Sequence, residues 1–347
     1  MKFARILFVF FCIVLFQPAS LHAHEVYVLP QPIVEEATQA PGFSLVQVAL
    51  MNLNPFLFWA SIVISIIALV FFISISRTIE RMCDPFLAKL PPYAAVISRV
   101  TIGISFLSAG YHNALFGPEL PLQEIFGTAT PIISAILMII GIMIIVGWYT
   151  RIATCVAISI FIVEAAWHGW YILTYTNYLG ELLLLLVLGA HHIAIHHKGH
   201  DRTAARWLRV WKAHLAPYVF PTLRISFGIS LVYASLYAKV FHNQLVLEVT
   251  KTYPDIVSFF GFEPHFLILG AAIIEIVLGL FFILGIEIRF VSLFVLFWLS
   301  LSLWYFGEAV WPHIILIGIP LAFICYGYDK YSLEGYFYKR GKYEPVL

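Results

Sequence analysis

The sequence predicts an all-α polytopic membrane protein, on three observations. Of 347 residues, 61% are hydrophobic and only 11% are charged, against roughly 25% charged for a soluble domain. Runs of about 20 apolar residues recur along the whole chain. Cations gather on alternate connections, as the positive-inside rule requires. With 20 Lys+Arg against 19 Asp+Glu there is no global basic field to hold nucleic acid. The cysteines Cys12, Cys83, Cys155 and Cys325 have no CxxC spacing, and no GxGxxG, GxxxxGK[ST] or HExxH motif occurs.

Residues 1–23 read as a signal peptide, with Lys2 and Arg5 before an apolar run from Ile6 to Phe16 and small residues toward Ala23. Cleavage after Ala23 would leave His24 at the new N-terminus. A short exported segment, 24–54, follows, and then about nine spans near 56–76, 94–112, 131–148, 152–174, 178–195, 218–240, 264–285, 289–306 and 310–326. An exported N-terminus puts Arg77, Arg81, Lys89, Arg151, Lys198, Arg202, Arg206, Arg209, Arg289 and Lys330 on the inner side and leaves Lys239 and Lys251 outside. The expected location is therefore the bacterial inner membrane, with the N-terminus outside and the C-terminus in the cytoplasm.

The chain repeats itself. Arg99-x3-Gly103-Ile104-Ser105 recurs as Arg224-x3-Gly228-Ile229-Ser230, an offset of 125; Gly141-x5-Gly147-x3-Arg151 recurs as Gly279-x5-Gly285-x3-Arg289, an offset of 138. Each leg of the second hairpin is longer by five residues when His112 is matched to His242 and Pro131 to Pro264. The expected organisation is 55–93 for a lone span with its cytoplasmic loop, 94–197 for one four-helix unit, 198–217 for a basic amphipathic linker, and 218–347 for a second unit with its tail. Four helices per unit is an even number, so the repeat is parallel. The histidines His191, His192, His196, His197 and His200 run into the basic linker and read as part of a helix lying on anionic lipid.

The second unit contains AIIEIVLGLFFILGIEIRF and ends in YGYDKYSLEGYF. A Glu before a Gly-rich helix (Glu275, Gly279), the exit Gly285-x3-Arg289 and the tail Tyr331-Ser332-Leu333-Glu334 resemble the DoxX-type membrane family. The tail has Glu where the family pattern has Asp. The first unit keeps Gly141, Gly147 and Arg151 but has Leu137 in place of Glu275, so the resemblance is stronger for the second copy. It implies four-helix membrane units and, for some members, the quinone-linked subunit of a sulfur-compound oxidoreductase acting with a protein partner.

Ionisable groups inside a membrane are costly and mark candidate sites. Glu164 and His168 share a helical face, and Asn177 and Glu181 repeat the spacing as the chain re-enters. Glu164, His168, Glu181 and Glu275 are the candidate catalytic or proton-carrying residues; the plain alternative is a set of hydrogen-bonded helix clamps. Glu275 stands alone in mid-span and reads as a protonated hydrogen-bonding group. His112, His242, His313 and Glu308 fall toward the exported side and are the candidate cofactor-binding residues. A free amine beside His24 would suit copper. Imidazole and carboxylate without thiolate fit quinone or metal chemistry and do not fit thiol-disulfide exchange. The leading expectation is a quinone-interacting subunit; the alternatives are a copper- or other metal-handling protein, or a non-catalytic assembly factor.

Overall fold

The computed structural model describes residues 29–51, 55–190, 211–306 and 311–337. Their regular structure is helical, and the one bridge recorded outside helices joins Ala114 to Pro121. Two short helices, α1 (Gln31–Gln39) and α2 (Leu45–Met51), precede the long α3 (Pro55–Leu87). The first unit comprises α4 (Pro91–His112), the short α5 (Leu122–Phe126), α6 (Thr130–Val146), α7 (Thr150–His168) and α8 (Thr176–Leu188). The second comprises α9 (Val219–Ser235), the short α10 (Gln244–Thr252) and α11 (Pro254–Phe260), then α12 (Pro264–Leu284), α13 (Ile288–Phe306), α14 (Pro312–Tyr326) and α15 (Leu333–Phe337).

Helix lies on each of the nine predicted spans. By length and composition, 6 described segments can cross a membrane; Thr150–Leu188 forms one of them because the 3₁₀ stretch Gly169–Tyr175 joins α7 to α8. The α14 helix is apolar but shorter, with Pro320 inside it. Large apolar side chains such as Ile132, Ile162, Phe297 and Trp304 are exposed on the outside of the bundle, the arrangement that a hydrocarbon solvent permits and water does not. One expectation is corrected here. The predicted loop 77–93 is largely helix, because α3 runs on through Arg77–Cys83, a stretch with no backbone breaker before Pro85.

Close backbone approach sets the architecture. A Cβ on Gly103 would lie 3.0 Å from the Gly141 carbonyl oxygen, and one on Gly228 would lie 2.5 Å from that of Gly279. Thus α4 crosses α6, and α9 crosses α12, at matching glycine pairs, the small-residue contact that lets membrane helices approach. The exits also match. Gly147 and Gly285 have φ of 78° and 72°, and the residues two further on, Tyr149 and Glu287, have φ of 45° and 49°. Arg151 Nε then donates to the Leu186 carbonyl, and Arg289 Nε to that of Ile324, both at 3.2 Å and both at the 138-residue offset.

Between the units, α4 packs on α14 and α8 packs on α9, so the first helix of each copy meets the last helix of the other. A single apolar core runs through both copies. Gly110 abuts the Ser134 carbonyl, and Ser235 Oγ donates to that of Ala272 at 3.4 Å, so strict offsets hold up to this level. Above it the second hairpin is taller, by four residues in each leg rather than five. The first leg gains its height as a π-helical turn, Leu236–Phe241. In this register His112 corresponds to Tyr237, not to His242. The taller tip receives the N-terminal segment: α1 packs on α10, and the Asn243 side chain accepts from Phe43 N at 3.1 Å and donates to Phe43 O at 2.7 Å.

Candidate functional site

A cavity of about 140 Å³ lies where the two units meet, at the end of the bundle that carries the turn 242–243 and Trp311. Residues 171–178 form one wall; α9, the π turn that follows it, α12, α13 and α14 form the rest. Its polar residues include Thr174, Asn177, Glu275 and His313, set among Tyr171, Tyr175, Tyr178, Tyr237 and Trp298. The wall is built from these elements for local reasons. The 3₁₀ stretch after Gly169 puts Tyr171, Thr174 and Tyr175 beside the start of α8, and the π turn redirects the side chains that follow Ser235.

Glu275 is not alone. Lys239, carried inward on the π turn, places Nζ 2.9 Å from Glu275 Oε2, with the Lys239 side chain 3% and the Glu275 side chain 21% exposed. The expectation that Glu275 stands alone is therefore corrected: Lys239 is its partner. The π turn also explains why Lys239 is not the exported surface cation that its position predicts, since the wider turn rotates it into the bundle. His313 is buried and lines the same cavity.

Glu164 and His168 meet as their spacing predicts, with Nε2 3.2 Å from Oε2. The contact lacks hydrogen-bond alignment, and neither Glu164 oxygen has a hydrogen-bond partner. Glu124 lies within electrostatic reach of both. Glu181 is fully buried and accepts a long 3.5 Å hydrogen bond from Thr101 on α4. Neither Glu164, His168 nor Glu181 lines the cavity. The other histidines have local roles. His112 stacks on Trp311 with ring centroids 4.7 Å apart and planes 7° from parallel, and the His242 ring sits against Tyr237, its Nδ1 3.1 Å from the Tyr237 carbonyl oxygen. His24 and Glu308 lie outside the described residues. Among the described residues no group of three His, Cys, Asp or Glu side chains is placed to hold a metal.

Sequence reasoning missed a second set of residues. Tyr171 and Tyr175 both donate to Glu119, and Tyr178 donates to the Phe116 carbonyl at 3.1 Å while lying 2.8 Å from Ser105. Tyrosines near span ends look like an interfacial belt, and nothing in their spacing points to Glu119. The tail motif has a structural task. Glu334 Oε2 accepts from Ile288 N at 3.2 Å and Glu334 N donates to Gly285 O at 3.1 Å, so the tail caps α13 and fastens the α12–α13 turn. Asp329 pairs with the buried Arg224 at 3.2 Å, and Arg224 also donates to the Phe282 and Ile283 carbonyls.

Apolar outer faces, glycine crossings and a largely apolar cavity with a few polar groups between two helical units define a multi-pass α-helical membrane protein. Residues 220–308 match the DoxX family, from α9 into the end of α13. The chain is a multi-pass helical membrane protein that carries a DoxX domain over those residues. No curated protein and no solved structure matches it.

Proposed function

We propose that the chain is a quinone-interacting subunit of the bacterial inner membrane, holding a quinone head group in the inter-unit cavity and acting with a protein partner that carries out the substrate chemistry. The observation that supports this reading is the cavity itself. Its volume of about 140 Å³ is close to that of the roughly 150 Å³ apolar cavity known to accept benzene, so one six-membered ring fits. Aromatic side chains offer such a ring flat contacts, and Asn177, Glu275 and His313 supply polar groups that can orient its oxygens. A head group there would sit among membrane-length helices, where a lipid-soluble molecule can reach it.

On this reading Glu275 and His313 belong to the ligand site, while the buried Glu164 and Glu181 and the half-buried His168 are groups able to carry protons away from it. The test is purification with native lipid, followed by solvent extraction and quinone analysis. Roughly stoichiometric quinone, displaced by a short-chain quinone analogue, is the expected result. A preparation that carries no quinone and takes up no analogue overturns the proposal.

A further inference from the structure

The first unit already holds a ring where the second has its cavity. Phe116 is fully buried and comes from the connection between α4 and α5, which the Ala114–Pro121 bridge folds back into the bundle. Its ring centroid lies 5.2 Å from that of Phe161, 5.5 Å from that of Tyr175 and 4.6 Å from that of Tyr178. The 138-residue offset that relates the arginine exits also governs the helices after them. Helices α7 and α13 start and end in register, and Gly189 lies against the Arg151 guanidinium as Gly327 lies against that of Arg289. At that offset Phe161, Tyr175 and Tyr178 become Leu299, His313 and Leu316, and all three of these border the cavity. Tyr175 and Tyr178 border it too, so the Phe116 ring and the cavity lie side by side.

The second unit lacks this plug because its connection takes another course. After the π turn the chain enters α10, whose buried Leu245 and Val249 pack against Leu29, Val34 and Ala37 of the N-terminal segment. Among the described residues none from α10 borders the cavity. We propose that the cavity seats the ring of its ligand on Leu299, His313 and Leu316 as the first unit seats Phe116, and that the first unit is a second ring site closed by the chain's own side chain. This inference rests on the ring-binding reading above and adds where the ring lies; it requires a planar six-membered ring and is indifferent to its oxidation state. Contacts between rings at these spacings are favourable, and His313 offers one at the place of Tyr175.

The experiment is equilibrium dialysis of isotope-labelled phenol against the full-length purified protein, with the same detergent on both sides. The parent protein should take up one equivalent at saturation. Phe116→Ala empties the first-unit seat and should take up two, since a buried cavity of that size accepts an aromatic ring. Leu299→Trp and Leu316→Trp fill the second-unit seat, and each should weaken the parent's single equivalent by about tenfold or more. The double variant Phe116→Ala, Leu316→Trp should take up one. A folded Phe116→Ala protein that gains no second equivalent overturns the proposal, as does a parent that takes up no phenol. Parent-like phenol binding in whichever tryptophan variant folds overturns the seating, and this arm decides the matter where Phe116→Ala does not fold. Either result leaves the quinone reading standing if native quinone is found on the protein. Phenol uptake as expected, on a protein that neither carries quinone nor takes up its analogue, removes that reading and keeps the ring seat.

Discussion

Replacing Lys239 with Met tests the central electrostatic feature of the cavity. Lys239 Nζ lies 2.9 Å from Glu275 Oε2, and the lysine side chain is 3% exposed. Methionine keeps the length and removes the charge, leaving a carboxylate with no counter-ion on that side. Breaking a fully buried ion pair by deleting one partner costs about 3–5 kcal/mol. Glu275 keeps 21% of its side chain open to the cavity, so water or protonation relieves part of that penalty, and a loss of about 2–3 kcal/mol is expected. The first unit supplies the control, since Leu137 occupies the position equivalent to Glu275 and is fully buried. The double variant Lys239→Met, Glu275→Leu imports that apolar solution and should lie within about 1 kcal/mol of the parent, because well-packed apolar replacements of buried pairs are close to neutral. Reversible unfolding in mixed detergent micelles, followed by tryptophan fluorescence, gives the full double-mutant cycle. A single variant as stable as the parent, or a double variant that loses the sum of the two singles, would show that the pair is not coupled and refute this reasoning.

Further expectations concern the frame and the Glu164–His168 pair. Gly279→Ala should destabilise by about 1–3 kcal/mol, since its Cβ would stand 2.6 Å from Val232 Cγ2 and 2.8 Å from the Gly228 oxygen; Gly270→Ala on the same helix meets nothing within 4 Å and should be neutral or gain up to about 1 kcal/mol. Thermal unfolding of the two variants side by side checks both. Glu334→Ala removes the acceptor for Ile288 N and should cost about 1 kcal/mol, with Glu334→Gln restoring most of it. His168→Gln should keep the fold while lowering ligand-coupled activity per folded molecule if Glu164 and His168 carry protons; a fully active, stable variant would reduce the pair to a helix clamp.

The parts of the fold that the sequence displays are those governed by local rules. Span positions follow from apolar runs, and the repeat follows from glycines and arginines whose contacts recur at fixed offsets: Gly103 with Gly228, Gly141 with Gly279, Arg151 with Arg289. The spacing of Glu164 and His168 sets their contact because both lie on one helix. Lys239 and Glu275 come from different helices, and their meeting depends on a π turn that no residue pattern announces. The same turn explains why matching His112 with His242 misleads: the added residues follow Ser235, so the equivalence of the two copies stops at that level. The join of Glu119 to Tyr171 and Tyr175 spans more than fifty positions and could not be read from a single sequence.

The cavity also bears on what the family match can say about chemistry. The matched segment 220–308 contains Lys239, Glu275 and Trp298, yet Tyr171, Thr174, Tyr175, Asn177 and Tyr178 come from the first unit, and His313 follows the matched segment. A single DoxX unit therefore holds only one side of this site. The glycine crossings and arginine exits that the two copies share build the backbone frame, whereas the residues that differ between them, Glu275 against Leu137 and the taller hairpin with its π turn, lie at the cavity or beside it. A polar group retained in only one copy is not needed by the frame, because the other copy folds with leucine in its place. The polar groups that distinguish the second unit from the first thus lie at the seam between them, and a family match confined to one unit does not assign them a chemistry.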